Sequence, residues 1–89
     1  PLWTTDQDGN LSRTFETKNF EAAMDFLVKV AAVSEQRRHH PDIHLTRYRH
    51  VELVLYTFSV DGVTLEDFKL AEALDAIPVD YSQRWRDLH

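Results

Sequence analysis

The chain opens with short stretches in which apolar and polar residues alternate. Leu2–Thr5 and Leu11–Thr17 read as two extended segments separated by Asp6–Gln7–Asp8–Gly9–Asn10. Asp-Gly and Gly-Asn are favoured where a turn needs positive φ, so the two segments form a predicted hairpin. At the strand period of two, Leu11, Arg13, Phe15 and Thr17 share one face. The period then lengthens. Asn19 is a good helix cap, and Phe20, Ala23, Met24, Leu27, Val30 and Ala31 fall into one stripe of a helix running to about Ser34. Phe26 and Val33 widen that stripe into a second apolar flank. A helix this apolar fits with one flank on a sheet and the other on a partner subunit.

After His39–His40–Pro41 the alternation returns. Ile43, Leu45 and Arg47 alternate with His44, Thr46 and Tyr48; Val51, Leu53, Leu55 and Thr57 alternate with Glu52, Val54, Tyr56 and Phe58. The second run, rich in β-branched and aromatic residues, is the strongest strand signal in the chain. Asp61–Gly62 ends it. Thr64 with Asp67 three residues on resembles a capping box, and Phe68, Ala71, Leu74 and Ile77 form the stripe of a helix that Pro78 stops. Residues 78–89 read as a tail, a short helix or a docked segment, in which Tyr81 and Trp85 stand among charges as a candidate contact surface. The predicted order is β-β-α-β-β-α: a single α+β domain over residues 1–89, a four-stranded antiparallel sheet with helices on one face.

Composition narrows the function classes. The net charge of −5 argues against nucleic acid as the main partner, since phosphates call for a basic face. Arg37, Arg38, Arg47 and Arg49 still form a basic cluster able to meet one small anion or an acidic protein patch. There is no cysteine, so thiolate chemistry and disulfides are excluded. No apolar run approaches the ~20 residues of a membrane span. The expected location is the cytoplasm. A chain of 89 residues buries a modest share of its surface, so self-association into a homo-oligomer is expected.

The candidate chemistry centres on Glu35–Gln36–Arg37–Arg38–His39–His40–Pro41. Proline pushes His40 into an extended conformation, which sends neighbouring side chains to opposite sides. The two imidazoles therefore suit the walls of a shallow cleft better than a shared metal ion. A zinc site recruiting His44 or His50 matches no known ligand spacing, so no metal is expected. Imidazoles titrate near neutrality and serve as acid or base, with Glu35 placed to orient one of them. The plainer alternative is that the histidines end a helix and favour its C-terminal dipole.

The pattern Glu35-x-x-x-His39-His40-Pro41, Tyr48, Val51, Leu55–Thr57, Gly62–Val63–Thr64 and Asp67 resembles the pterin-4a-carbinolamine dehydratase family. Phe15-x-x-Lys18-x-Phe20 and the helix through Val30–Ala31 resemble the same family's lead-in, so the likeness spans about Leu11–Ile77. It implies the four-stranded sheet with helices on one face, dimers or tetramers, and removal of water from a 4a-hydroxytetrahydropterin without a cofactor. The resemblance assigns catalysis to His39, His40 and Asp67, and substrate binding to Glu35, Pro41, Tyr48 and Thr57. The family's third histidine follows the strand-ending threonine, where this chain has Phe58. Phenylalanine neither gives nor takes a proton, and loss of one positioned acid–base group typically costs about 10²–10⁴ in rate. Asp42–Ile43–His44 also departs from the family's pattern after His-His-Pro.

Dehydratase-like proteins that depart from the full pattern include assembly factors for RuBisCO, in chloroplasts and α-carboxysomes. The expectation is therefore a catalytically degenerate protein that binds a client such as RuBisCO, with carboxysome association. The alternative is a working dehydratase with a pterin ligand. A transcription-factor dimerisation role, known for some animal members, draws no support from these residues.

Overall fold

The structure, a computed structural model, describes residues 2–89. It contains β1 (Thr4–Thr5), β2 (Leu11–Glu16), α1 (Phe20–Arg37), β3 (Asp42–Thr46), β4 (His50–Leu55), α2 (Leu65–Asp75) and α3 (Gln83–Leu88), with a single 3₁₀ turn at Phe58–Val60. The strands form one antiparallel sheet in the order β1-β2-β4-β3. This is the α+β architecture expected from the pattern, with the tail adding a third helix.

Local chemistry explains the connections. Asp6 Oδ1 accepts hydrogen bonds from the N–H groups of Asp8 and Asn10, both at 2.9 Å, and Gly9 supplies the positive φ of +83°. Asn19 caps α1 by accepting from the Ala22 N–H at 2.8 Å. The connection between β3 and β4 is less ordinary. Arg47 and Tyr48 both adopt left-handed backbone, φ 49° and 56°, without a glycine. Left-handed backbone costs a non-glycine residue about 1–2 kcal/mol.

The core lies between the sheet and the helices. Val51, Leu53 and Leu55 of β4 are wholly buried and meet Phe15 on β2; Ala23, Phe26 and Val30 of α1 and Leu70 and Leu74 of α2 cover them. The Phe15 and Phe26 rings meet edge to face at 5.1 Å.

Both helices are rotated from the stripes read in the sequence. In α1 the inward positions are Ala23, Phe26, Val30 and Ser34. Phe26 turns inward to meet Phe15, which leaves Phe20, Met24 and Val28 more than 40% exposed, and Ala31 exposed as well. In α2 the inward residues are Asp67, Leu70, Ala71 and Leu74, while Phe68 lies outside and Ile77 is half-buried. The strongest strand also stops early, at Leu55, and Tyr56 and Phe58 leave the sheet.

The tail is docked. Ser82 N–H donates to Glu16 C=O at 3.0 Å and Lys18 N–H to Asp80 C=O at 2.8 Å, so residues 80–82 cover the end of the β2 edge. Arg13, 4% exposed, donates to Asp75 and to the Tyr81 hydroxyl, each at 2.9 Å. Tyr81 packs edge-on to Phe15, and Trp85 stacks between Tyr81 and His89. Tyr81 and Trp85 are therefore half-buried and packed into the fold, with Trp85 keeping part of its surface in the lining of a hollow shared with Glu16, His50, Arg84 and Leu88.

Candidate active site

The end of α1 delivers the histidines. Arg38 takes left-handed backbone, φ 54°, and His39 N–H donates back to Ser34 C=O at 3.1 Å, closing the helix with a six-to-one bond. The chain then reverses into β3 through Pro41. As expected for an extended segment, the two imidazoles diverge and take separate carboxylates.

His39 Nε2 lies 2.6 Å from Oδ1 of Asp67, a residue with no exposed surface. Oδ2 of Asp67 accepts from the Thr57 hydroxyl at 2.7 Å and from the Thr64 N–H at 2.9 Å. Thr57 has one hydroxyl proton and gives it to Asp67, so in its 2.7 Å contact with Thr64 the Thr64 hydroxyl is the donor. Burial alone pushes the Asp67 carboxyl up; the hydrogen bonds from His39, the Thr64 N–H and Thr57 outweigh it and hold it below the ordinary value. An ionised Asp67 accepts from His39 Nε2–H, which leaves Nδ1 for a ligand.

His40 is built differently. Its Nε2 lies 2.7 Å from Glu35 Oε2, and both side chains are more than 60% exposed. Such a pair orients the ring but contributes only about 0–1 kcal/mol to stability.

His39, His40, Arg38, Tyr56 and Phe58 line one shallow hollow of about 210 Å³. Phe58 is 86% exposed at its rim. Tyr56 was not singled out by the sequence. Its place two residues before Phe58 at the end of β4 is the signal that finds it. Its hydroxyl is 3.5 Å from Asp42, whose charge, followed by burial, pushes the phenol up.

The remaining predicted residues divide. Thr57 stands behind Asp67 in the hydrogen-bond chain, and Pro41 connects the histidines to β3. Tyr48 lies in the turn at the far end of β3 and does not line the hollow. The register pairs His44 with Glu52, and His50 with Glu16 and Thr46. Both histidines project from the sheet face opposite the core formed with α1 and α2, and neither lines the hollow of His39 and His40. The basic cluster is split: Arg37 and Arg38 end α1, whereas Arg47 and Arg49 flank the β3–β4 turn. Among the described residues no three histidine, aspartate or glutamate side chains are grouped to hold a metal ion.

Fold and site together define an α+β protein with an imidazole–carboxylate pair held at one end of an open sheet. The chain belongs to the pterin-4a-carbinolamine dehydratase family, whose sequence pattern matches residues 1–77. A putative pterin-4-alpha-carbinolamine dehydratase of Chloroflexus aggregans is 42% identical over 77 residues, covering 86% of this chain and 81% of that protein. One from a Bradyrhizobium strain is 48% identical over 67 residues, 75% of this chain and 67% of its own. Among solved structures, a transcriptional coactivator/pterin dehydratase from Brucella melitensis superposes with a TM-score of 0.78 at 34% identity, covering 85% of this chain and 81% of its own. A pterin dehydratase-like protein identified as a RuBisCO assembly factor in the alpha-carboxysome superposes with a TM-score of 0.71, over 86% of this chain and 89% of its own. At 22% identity that second likeness shows the fold alone.

Proposed function

We propose that this family member is catalytically degenerate and acts by binding another protein, with RuBisCO assembly as the specific role. One observation carries the reading: Phe58 stands at the rim of the histidine hollow, where the family resemblance asks for an acid–base group. Dehydration needs a proton for the departing hydroxyl and a base for a ring-nitrogen proton. His39, steadied by Asp67, and His40, steadied by Glu35, leave one role of the three-histidine arrangement empty. Carboxylase capture by the purified protein, and impaired carboxylase assembly in a deletion strain, are the expected results. Absence of both removes the role.

A second reading has its own support. The buried Asp67–His39 pair and the 42–48% identity to putative dehydratases favour a working enzyme that binds a pterin through Glu35, Pro41, Thr57 and the paired histidines. It requires turnover that His40→Ala abolishes.

Either role is proposed for a homo-oligomer, dimer or tetramer. Phe20, Met24, Val28 and Ala31 form an exposed apolar stripe along α1 at helical spacing, the surface such an assembly covers. Val28→Asp is then expected to lower the mass seen by light scattering without unfolding the chain. No described helix is long and apolar enough to cross a membrane. The proposed location is the cytoplasm, with association to carboxysomes.

A further inference from the structure

The β3–β4 turn and the docked tail meet at the end of the sheet far from His39 and His40, and they build a surface the histidine site does not use. One hollow of about 430 Å³ is lined by Glu16, Thr46, Arg47, His50 and Arg84. A second, about 240 Å³ and mostly apolar, shares Glu16, His50 and Arg84 and continues over Trp85 and Leu88. Leu88 is 74% exposed.

The charge here reverses that of the molecule. The whole chain carries −5, yet Glu16 is the one carboxylate in the lining of either hollow, where it is paired with Arg84 and, beside the lining, with Arg49, while Arg47 lines the larger hollow with it. Glu16 is already engaged: it accepts from the Ser82 hydroxyl at 2.7 Å, is bonded to Arg84, and has Arg49 at 3.7 Å. Arg47 makes no ion pair among the described residues, and its side chain is exposed. Arg47 and Tyr48 are presented on strained left-handed backbone where glycine or asparagine is the relaxed choice. Tyr48 is 58% exposed, with the Arg49 guanidinium 5.4 Å from its ring centroid. Arginine, tyrosine and tryptophan beside an apolar hollow are the residue types that dominate binding energy at protein interfaces. Arg84, Trp85 and Leu88 all lie beyond the family-matched residues 1–77, so three of the seven residues lining the two hollows belong to the tail.

We propose that this end of the sheet docks an acidic protein segment, its carboxylates against Arg47, Arg49 and Arg84 and a neighbouring apolar side chain in the hollow over Trp85 and Leu88. The proposal rests on the protein-binding reading and names the chemistry of the partner it requires. Complementary charge fixes the occupant's sign, and the adjoining apolar hollow selects a segment over a free inorganic anion.

The test is a nuclear magnetic resonance titration of the full chain with an end-blocked peptide, Asp-Glu-Leu-Phe-Asp-Glu, beside the same peptide with lysine at every acidic position. Shift changes should concentrate at Arg47, Tyr48, His50, Arg84 and Leu88, weaken with salt, and be absent for the lysine peptide. Arg47→Glu should weaken binding about ten-fold or more, as charge reversal at the heart of such a contact does. Lys69→Glu, on the exposed side of α2, should leave it within about two-fold, like a charge distant from the contact. No shifts at millimolar peptide, shifts confined to another surface, or an indifferent Arg47→Glu variant would each overturn the proposal. So would inorganic phosphate producing the same shifts at the same concentration. A chain that captures RuBisCO but not the peptide removes this surface and keeps the protein-binding role. The reverse outcome keeps the surface and removes RuBisCO as the client.

Discussion

The two ends of the sheet each hold a carboxylate with several donors, but they are built on different principles. Asp67 has no exposed surface, and its donors are an imidazole, a hydroxyl and a backbone N–H from α1, the β4 end and the start of α2. Glu16 is 6% exposed, and its donors are the Ser82 hydroxyl and arginines on the tail and the β3–β4 turn. Asp67 closes the first turn of α2 and sets which face of that helix turns inward. Asp67 therefore has a part in folding beside the chemical role proposed for it. The Glu16 cluster instead fastens a segment outside the family-matched residues.

The largest contrast should appear on removing the two carboxylates. Asp67→Ala leaves the Thr64 N–H and His39 without their acceptor in a buried place and is expected to cost about 3 kcal/mol in denaturant unfolding. Asp67→Asn keeps one acceptor and is expected to cost about 1–2 kcal/mol. An Asp67→Ala variant as stable as the parent would dissolve the structural explanation for keeping this residue.

Acid should separate the ends next. Asp67 and Glu16 are both held below the ordinary carboxylate value. Asp67 owes this to hydrogen bonds that overcome burial; Glu16 owes it first to Ser82, then to Arg84. A depressed carboxyl stabilises the fold fully above its unfolded pKa, about 4, and that contribution is lost as pH falls through the folded value. Urea midpoints should therefore hold steady near neutrality and drop below about pH 4, where unfolded carboxylates take up protons. Asp67→Asn should flatten that drop. An unchanged pH profile in this variant would show that other carboxyls govern it.

Glu16→Gln is expected to act locally, speeding hydrogen exchange of the α3 amides while β4 stays protected. Equal loss of protection in both elements would make the tail part of the central folding unit. The smallest effect has the opposite sign. Ser34 Oγ is buried on the inner face of α1 with no hydrogen-bond partner among the described residues. Ser34→Ala should therefore stabilise the chain by about 1 kcal/mol by calorimetry.

Much of the architecture is legible in the chain because period and punctuation agree. The Asp-Gly-Asn turn, the Asn19 cap, the Pro78 stop and the alternation of Val51, Leu53 and Leu55 each mark an element locally. Helix rotation is not local. Phe20 and Phe26, or Phe68 and Leu70, are comparable candidates until Phe15 claims Phe26 and His39 claims Asp67 across the fold. The resemblance assigned His39 and Asp67, 28 positions apart, to one candidate site, but their pairing became legible only in the fold. That Tyr48 lies away from the histidine hollow was hidden for a related reason: a motif conveys that a residue recurs, not which end of a strand it occupies. The choice between a docked and a free tail stayed open because the partners of Tyr81, Arg13 and Phe15, lie at the other end of the chain.

The most direct test is the rate of 4a-hydroxytetrahydropterin dehydration by the purified protein and by Phe58→His. A degenerate site predicts wild-type turnover close to the uncatalysed rate, and a gain on the order of 10²-fold when Phe58→His restores an imidazole at the hollow's rim. Wild-type turnover in the ordinary enzymatic range, about 1–10³ s⁻¹, would contradict it and return the chain to the working dehydratases.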